Sequence, residues 1–348
     1  MIKRRSILQA GAALGLGTAA IAASAQAQPV TLKFHTFMAP TSNVWTLMLR
    51  PWMEKVEKDS GGRIKFEAYP AMQLGGTPPQ LYDQARDGVA DIVWTLPGYS
   101  AGRFVRGEVF ELPFMMGEAE STSRAYWEFI QTQAPDEFKD TKVLALHVHG
   151  RGVLHSTKQI RNHDDLKGMK VRAPTRQVTK LLAAYGAVPV GLPLPAVPDA
   201  LSKGTINAVA TPWDVVPSVK VHELTKFSTE FPRSVPALYT GTFVMAMNRA
   251  KYDSLPPDLK RVIDANSGID TSAHFGKITQ DSDAIGLKAA TDRGNTIYTV
   301  SQADAAEFMK LSSNIEEEWV ADMTKRGYDG KALLGSAKAL IAKYGKGS

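Results

Sequence analysis

The repeated alternation of short strand patterns with helix patterns constrains this 348-residue chain most strongly. Residues 30–35 place apolar side chains at every second position, whereas residues 43–58 have helical apolar spacing. The alternation continues through most of the chain, and it predicts an α/β fold with mostly parallel sheets covered by helices. More than eight strands are predicted, which favours two sheets with a cleft between them. Ligands in such folds bind at the carboxyl ends of strands.

Composition narrows the class of protein further. The chain is 44% hydrophobic and 22% charged, which is ordinary for a globular protein with room for two domains. It has no cysteine, which excludes disulfides, thiolate metal sites and cysteine nucleophiles. Three of its six net positive charges are Lys3, Arg4 and Arg5, so the rest of the chain carries +3. Because this net charge is small and the sequence has no dense Lys/Arg block, we expect no nucleic-acid partner.

Residues 1–27 have the pattern of an export signal. A basic start at positions 3–5 precedes a Gly- and Ala-rich apolar run, and Ala25-Gln26-Ala27 is a small-residue cleavage site. The paired arginines favour a twin-arginine signal, with a general secretion signal or a membrane anchor as alternatives. We therefore expect a mature chain that begins at Gln28 and works in the bacterial periplasm or outside the cell.

Motifs of common enzymes are missing from the sequence. It contains no Walker loop, no Gly-x-Gly-x-x-Gly after a strand, no Gly-x-Ser-x-Gly and no His-Glu-x-x-His. His147 and His149 share one face of a predicted strand, with His155 nearby, which permits either a metal site or polar positions at a strand end. No carboxylate stands at matching spacing, and the acidic run at residues 316–318 fits a solvated helix face.

The segment at residues 164–174 contains the clearest candidate for a ligand-binding residue. It reads Asp-Asp-Leu-Lys-Gly-Met-Lys-Val-Arg-Ala-Pro, which predicts a turn and then a short strand with Arg172 at its end. Pro174 stops further strand pairing. An arginine at the carboxyl end of a strand is suited to two parallel hydrogen bonds with a carboxylate. On the residues alone, a surface ion pair of Arg172 is the alternative.

This segment resembles a signature of the extracytoplasmic solute-binding proteins of tripartite ATP-independent periplasmic (TRAP) transporters. Other segments that resemble the family follow in order along most of the chain beyond residue 27 and make the resemblance specific. They are Gly62–Gly75, Phe110-Glu111-Leu112-Pro113-Phe114, Gly204-Thr205-Ile206-Asn207-Ala208-Val209, and Asn248 with Leu255-Pro256.

The resemblance implies a two-domain clam of the periplasmic-binding-protein kind with a long helix across the hinge. Domain I would hold residues 28–148 and 237–277, and domain II residues 149–236 and 278–348. The chain would cross the hinge near His149, near Pro236 and within the long helix near Lys277. The family's clam closes on an organic acid.

The resemblance also implies individual site residues. The family's arginine that pairs with the ligand carboxylate falls on Arg172, and a second arginine of some members falls on Arg151. Where the family commonly has Glu-Asn-Pro, this chain has Ala210-Thr211-Pro212, so Thr211 replaces the carboxylate-contacting asparagine. Some members hold a cation through an acid near the position of Leu238. That acid is missing here, so we expect no metal and no cofactor.

Aromatic residues at predicted strand ends indicate the class of ligand. Each of them alone also fits a buried core, but aromatic walls favour an aromatic monocarboxylate, including 2-oxo or 2-hydroxy acids such as benzoylformate or mandelate. A second oxygen of such a ligand would bind His35 or Thr211. The predicted aromatic walls are Phe37, Trp94, Trp213 and Phe243.

The sequence therefore predicts a periplasmic transport component and no enzyme. Its partners would be a small organic acid and the small and large integral-membrane TRAP subunits. Two alternatives stay open: an exported hydrolase, and a binding protein for an aliphatic 2-oxo acid or a dicarboxylate that serves a sensor.

Overall fold

A computed structural model describes residues 28–345 of the chain. The predicted signal at residues 1–27 lies outside this range. The strands are β1 (Val30–Thr36), β2 (Ile64–Tyr69), β3 (Ile92–Thr95), β4 (Thr141–Val148), β5 (Val153–Ser156), β6 (Lys170–Ala173), β7 (Val188–Gly191), β8 (Ala208–Thr211), β9 (Phe227–Glu230), β10 (Thr242–Asn248) and β11 (Thr296–Thr299).

The helices cover the sheets and follow most strands. They are α1 (Arg50–Asp59), α2 (Leu81–Arg86), α3 (Ala119–Gln133), α4 (Arg176–Ala184), α5 (Val197–Ser202), α6 (Val221–Leu224), α7 (Arg249–Ser254), α8 (Pro257–Ala265), α9 (Ile269–Asp281), α10 (Asp283–Asp292), α11 (Gln302–Leu311), α12 (Asn314–Lys325) and α13 (Gly330–Gly345). No helix in the described range is long and apolar enough to span a membrane.

The strands form two sheets, as the alternating pattern predicts. The first sheet has the order β2-β1-β3-β10-β4, and the second has the order β11-β9-β5-β8-β6-β7. The central strands are buried along their whole length in both sheets, for example β3, β5, β8 and β10. Burial on both faces requires a continuous apolar run, which is what Thr242–Asn248 and Ala208–Thr211 supply.

Most strand pairings are parallel, as the sequence predicts, but each sheet contains one reversed strand. β10 runs antiparallel to β3 and β4, and β5 runs antiparallel to β8 and β9. These two strands are the ones that enter a sheet directly from the other sheet with no helix before them. The connections 149–152 and 231–241 carry the chain from one sheet directly into the other, where the arriving strand runs against its neighbours. The residue ranges predicted for domains I and II stay a prediction.

The apolar spacing of residues 256–293, which contain no proline after residue 257, predicts one long helix, but the structure interrupts it twice. After α8 the carbonyl of Asn266 accepts a hydrogen bond from the indole of Trp52 at 2.8 Å, and Gly268 has φ +95°. That φ lies outside the helical region and favours glycine, so the helix has to restart at Ile269. A second break at Ser282 separates α9 from α10.

The carboxyl-terminal helices connect both sheet units. α11 lies by the second sheet, where the hydroxyl of Tyr185 donates to the carbonyl of Phe308 at 3.1 Å. α13 instead packs on α3 beside the first sheet, and Lys343 forms an ion pair with Glu128 at 2.7 Å. The predicted single helix over residues 302–326 is split between α11 and α12.

Candidate ligand-binding site

A cleft opens where the carboxyl ends of strands from both sheets meet. Phe37 follows β1, Leu96 follows β3, Pro174 closes β6 and Thr211 ends β8, and all four line the cleft. The walls of the cleft are mainly apolar. This is the position that the rule for α/β sheets predicts for a ligand.

Arg172 is the polar centre of the cleft. Its side chain is 3% exposed, and its guanidinium donates from Nε to the carbonyl of Leu192 and from Nη1 to that of Ala210, each at 2.9 Å. Nη2 lies 3.4 Å from the hydroxyl of Tyr99. These neutral partners hold the guanidinium in place and leave some of its five N–H donors unused.

No carboxylate among the described residues lies within ion-pair distance of Arg172. A buried guanidinium without a counter-charge is costly, because its hydration is lost and no ion pair replaces it. His149 also lines the cleft, but burial lowers its pKa to about 4, with a smaller contribution from the Arg172 charge, so its imidazole is neutral at pH 7. Arg172 is therefore the permanent positive charge of the cleft, and the arrangement fits an anionic ligand.

Aromatic rings form one wall. Trp94 and Phe243 stack with centroids 4.5 Å apart and an interplanar angle of 13°, and Phe37 packs on Trp94 at 5.5 Å. The indole of Trp94 donates to Nε2 of His147 at 2.9 Å, which leaves no free polar group on the tryptophan. The three rings line the cleft, as predicted, and they offer faces for an aromatic ligand.

The three histidines that raised the question of a metal site are each engaged in hydrogen bonds. His147 accepts from Trp94, His149 accepts from the backbone N–H of Gly241 at 2.9 Å, and His155 pairs with the hydroxyl of Ser228 at 2.9 Å. Burial lowers the pKa of His147 and of His155 to about 3. Within residues 28–345 no group of three or more metal-binding side chains is assembled.

Trp213 does not line this cleft, although the sequence predicted it as a wall. It begins a short 3₁₀ turn after Pro212, and its indole donates to Glu230 at 2.7 Å while the ring packs edge-on against His155. The indole belongs to a neighbouring cavity behind the cleft. The turn reverses the direction of the chain after β8. The alternating pattern of β8 gives no information on this change of direction.

Arg151 and His35 also lie away from the cleft walls. Arg151 lines the neighbouring cavity, and its Nη2 donates to carbonyls of the 232–236 segment, the closest being Val235 at 2.8 Å. His35 is fully buried within β1, and its Nδ1 pairs with Gln84 at 2.6 Å. Burial lowers the pKa of His35. Thr211, by contrast, lines the cleft, and its carbonyl pairs with His155 at 3.2 Å.

Among the cleft residues that were not predicted as ligand contacts, five carry polar side chains: Tyr99, His149, Asp214, Tyr239 and Thr279. Tyr99 reaches Arg172 from the loop after β3, and its hydroxyl also accepts from the N–H of Leu194 at 3.0 Å. His149 was noticed only as a metal candidate. Asp214 directly follows the Thr-Pro-Trp segment, which contains two predicted ligand contacts. This position next to them was the one feature of the sequence that could have indicated Asp214 as a further contact.

Comparison with known sequences gives one family. The sequence pattern of the bacterial extracellular solute-binding protein family 7 matches residues 35–322.

Three solved structures resemble the chain along nearly its whole length. A TRAP solute-binding protein from Rhodoferax ferrireducens T118, in complex with copurified benzoate, is 64% identical, with a TM-score of 0.91 over 91% of this chain and 99% of that chain. A marine metagenome TRAP solute-binding protein with 3-hydroxybenzoate is 47% identical, with a TM-score of 0.90 and coverage of 92% and 100%. A Bordetella bronchiseptica protein with bound (R)- and (S)-mandelate is 26% identical, with a TM-score of 0.82 and coverage of 90% and 99%.

Proposed function

Because the chain belongs to family 7 of the bacterial extracellular solute-binding proteins, we propose that it is the solute-binding component of a TRAP transporter and that it captures an aromatic monocarboxylate. The family expected from the Arg172 segment is thereby confirmed. The observation that carries the choice of ligand is the buried Arg172, which has no carboxylate partner among the described residues and faces stacked aromatic rings in one cleft.

In this proposal the ligand carboxylate takes the N–H groups of Arg172 that the carbonyls of Leu192 and Ala210 leave free. The aryl ring lies against Phe37, Trp94 and Phe243. The carboxylate neutralises the buried guanidinium, and the ring replaces water at apolar surface. Thr211 lies at the same strand-end edge and contributes a hydroxyl to the site.

The ligands of similar proteins support an aromatic acid over a dicarboxylate or a sugar acid. The two solved structures with the higher identities hold benzoate and 3-hydroxybenzoate, and the third holds mandelate. A dicarboxylate would need a second cation, and among the described residues that line this cleft Arg172 is the single permanent one.

The remaining parts of the proposal concern the transport context. The protein works in the periplasm, its two domains close on the ligand with the boundaries 28–148 plus 237–277 and 149–236 plus 278–348, and it delivers the ligand to the small and large membrane subunits. It binds its ligand without turning it over, as the solute-binding family of the chain implies. Incubation with aryl esters and amides, followed by chromatography, tests this: product formation would favour the hydrolase alternative.

A thermal-shift screen of the purified chain against organic acids tests the ligand class. A ligand that binds the native state raises the melting temperature by mass action. We expect benzoate and its substituted relatives to stabilise the protein, and succinate, pyruvate and glucuronate not to. Calorimetry then gives the dissociation constants, and small-angle scattering with ligand should give a smaller radius of gyration than without it. Stabilisation by aliphatic acids alone would refute the aromatic proposal.

A further inference from the structure

The cleft contains a second buried polar group that the carboxylate site does not use. Asp214 is 2% exposed and lines the cleft, and its Oδ1 has no hydrogen-bond partner among the described residues. A buried carboxyl oxygen without a partner costs free energy, because the hydration it loses on folding is not replaced. An arrangement of this kind persists where a ligand supplies the missing hydrogen bond.

The surrounding fold keeps Asp214 from turning out to solvent. Its backbone N–H donates to Oδ1 of Asp283 at 3.0 Å, and its carbonyl accepts from Asn43 at 2.9 Å. Helix α10 lies directly against the turn, since a Cβ added at Gly286 would stand 1.9 Å from the carbonyl oxygen of Trp213. The backbone of Asp214 is therefore fixed from two sides.

Asp214 and Arg172 both line the cleft. No ion pair joins them, although both act on the pKa of Tyr239, another cleft residue. Burial raises the pKa of Tyr239, the Arg172 charge lowers it, and Asp214 raises it. The hydroxyl of Tyr239 also lacks a partner among the described residues. Tyr239 thus lies near both Arg172 and Asp214 and lines the same cleft.

We propose that Asp214 is a specificity-determining residue that accepts a hydrogen bond from a hydroxyl on the ligand, so that the preferred ligands are hydroxyl-bearing aromatic monocarboxylates. This inference rests on the proposed function, since it needs the carboxylate of the same ligand on Arg172. An unsubstituted aryl acid leaves Oδ1 of Asp214 without a partner, whereas a ligand hydroxyl supplies one. Sites built to pair a ligand hydroxyl discriminate strongly against the analogue that lacks it.

The test compares benzoate with 2-, 3- and 4-hydroxybenzoate by calorimetry on the wild-type protein. We expect at least one isomer to bind about tenfold or more tightly than benzoate, because a buried acceptor that is left without a partner costs about that much. In Asp214→Leu we expect this ratio to fall within about threefold of unity while benzoate still binds. Asp281→Asn is the matched control, since Asp281 is an exposed aspartate on α9 outside the cleft and its loss should leave the ratio unchanged.

A second measurement needs no variant and stands even if Asp214→Leu does not fold. The fluorobenzoate that matches the best hydroxybenzoate places an atom of similar size at the same ring position without a proton to donate. We expect it to bind the wild type no better than benzoate. The inference is overturned if no isomer gains over benzoate, if the fluoro analogue gains as much, or if folded Asp214→Leu keeps the preference. Failure of benzoate and of all isomers to bind would instead refute the proposed function, and the inference with it.

Discussion

Replacement of Arg172 by lysine is the most demanding test of the carboxylate site. The guanidinium donates to two backbone carbonyls, of Leu192 and Ala210, from two different nitrogens and still has N–H groups for a ligand. A lysine ammonium is a single point with three donors at the end of a flexible stem, so it cannot serve both carbonyls and grip a carboxylate in parallel. Arg172→Lys therefore keeps the charge and loses the geometry.

The magnitude follows from burial. The Arg172 side chain is 3% exposed, and removal of one member of a buried, hydrogen-bonded charge pair costs about 2–5 kcal/mol. This corresponds to a loss of affinity of roughly 30-fold to several thousand-fold. Arg172→Met should fall at the upper end, because it also removes the charge. Neither substitution leaves the carbonyls of Leu192 and Ala210 paired as before, so a drop in melting temperature is expected as well.

The assay is calorimetric titration of benzoate into wild type, Arg172→Lys and Arg172→Met, each checked for folding by circular dichroism. Arg161→Lys serves as control, because Arg161 is exposed and distant from the cleft lining. If both Arg172 variants fold and bind benzoate within about threefold of wild type, the carboxylate is held elsewhere and the assignment is refuted.

Three further predictions test the aromatic wall of the cleft, the buried Glu111 and the close contact of α10 with the Trp213 carbonyl. Phe243→Leu should weaken benzoate relative to cyclohexanecarboxylate by about 2- to 12-fold in calorimetry, the loss of roughly 0.5–1.5 kcal/mol of aromatic stacking, whereas Trp213→Leu should leave that ratio unchanged since its indole lies outside the cleft. Burial, with a smaller contribution from Glu108, raises the pKa of Glu111 to about 7, so the folded protein binds this proton more tightly than the unfolded chain. The stability of the fold that depends on the protonated carboxyl is present at low pH and is lost as pH rises through about 7. Glu111→Gln should therefore gain stability over wild type by up to about 3 kcal/mol between pH 5 and pH 8 in urea titrations, and parallel pH curves would contradict this. Gly286→Ala should destabilise the protein by about 1–3 kcal/mol through its clash with the Trp213 carbonyl, whereas Gly335→Ala, which meets nothing within 4 Å, should be neutral or slightly stabilising in thermal melts.

Some features of the site were predictable from local sequence because they depend on local rules. The placement of Arg172 follows from a four-residue strand that Pro174 ends, and a strand end in an α/β fold points to the cleft. The positions of Phe37 and Trp94 follow in the same way from β1 and β3. Their placement at this cleft needed no knowledge of distant segments, while their contact with a ligand stays a prediction.

The tertiary structure alone decided which residues beyond the strand ends share the cleft. Trp213 was predicted to be a wall, but α10 presses on its turn at Gly286, so the indole lies in the next cavity and Asp214 lines the cleft instead. Tyr239 comes to Arg172 from a connection between the two sheets, more than 60 residues further along the chain. Periodicity reports which face of its own strand a residue occupies, and it carries no information on how a turn is oriented by a helix 70 residues away. For that reason the sequence by itself determined the α/β class, the family resemblance and the position of Arg172. Only the packing of distant segments decided that Asp214 and Tyr239 share the cleft with Arg172.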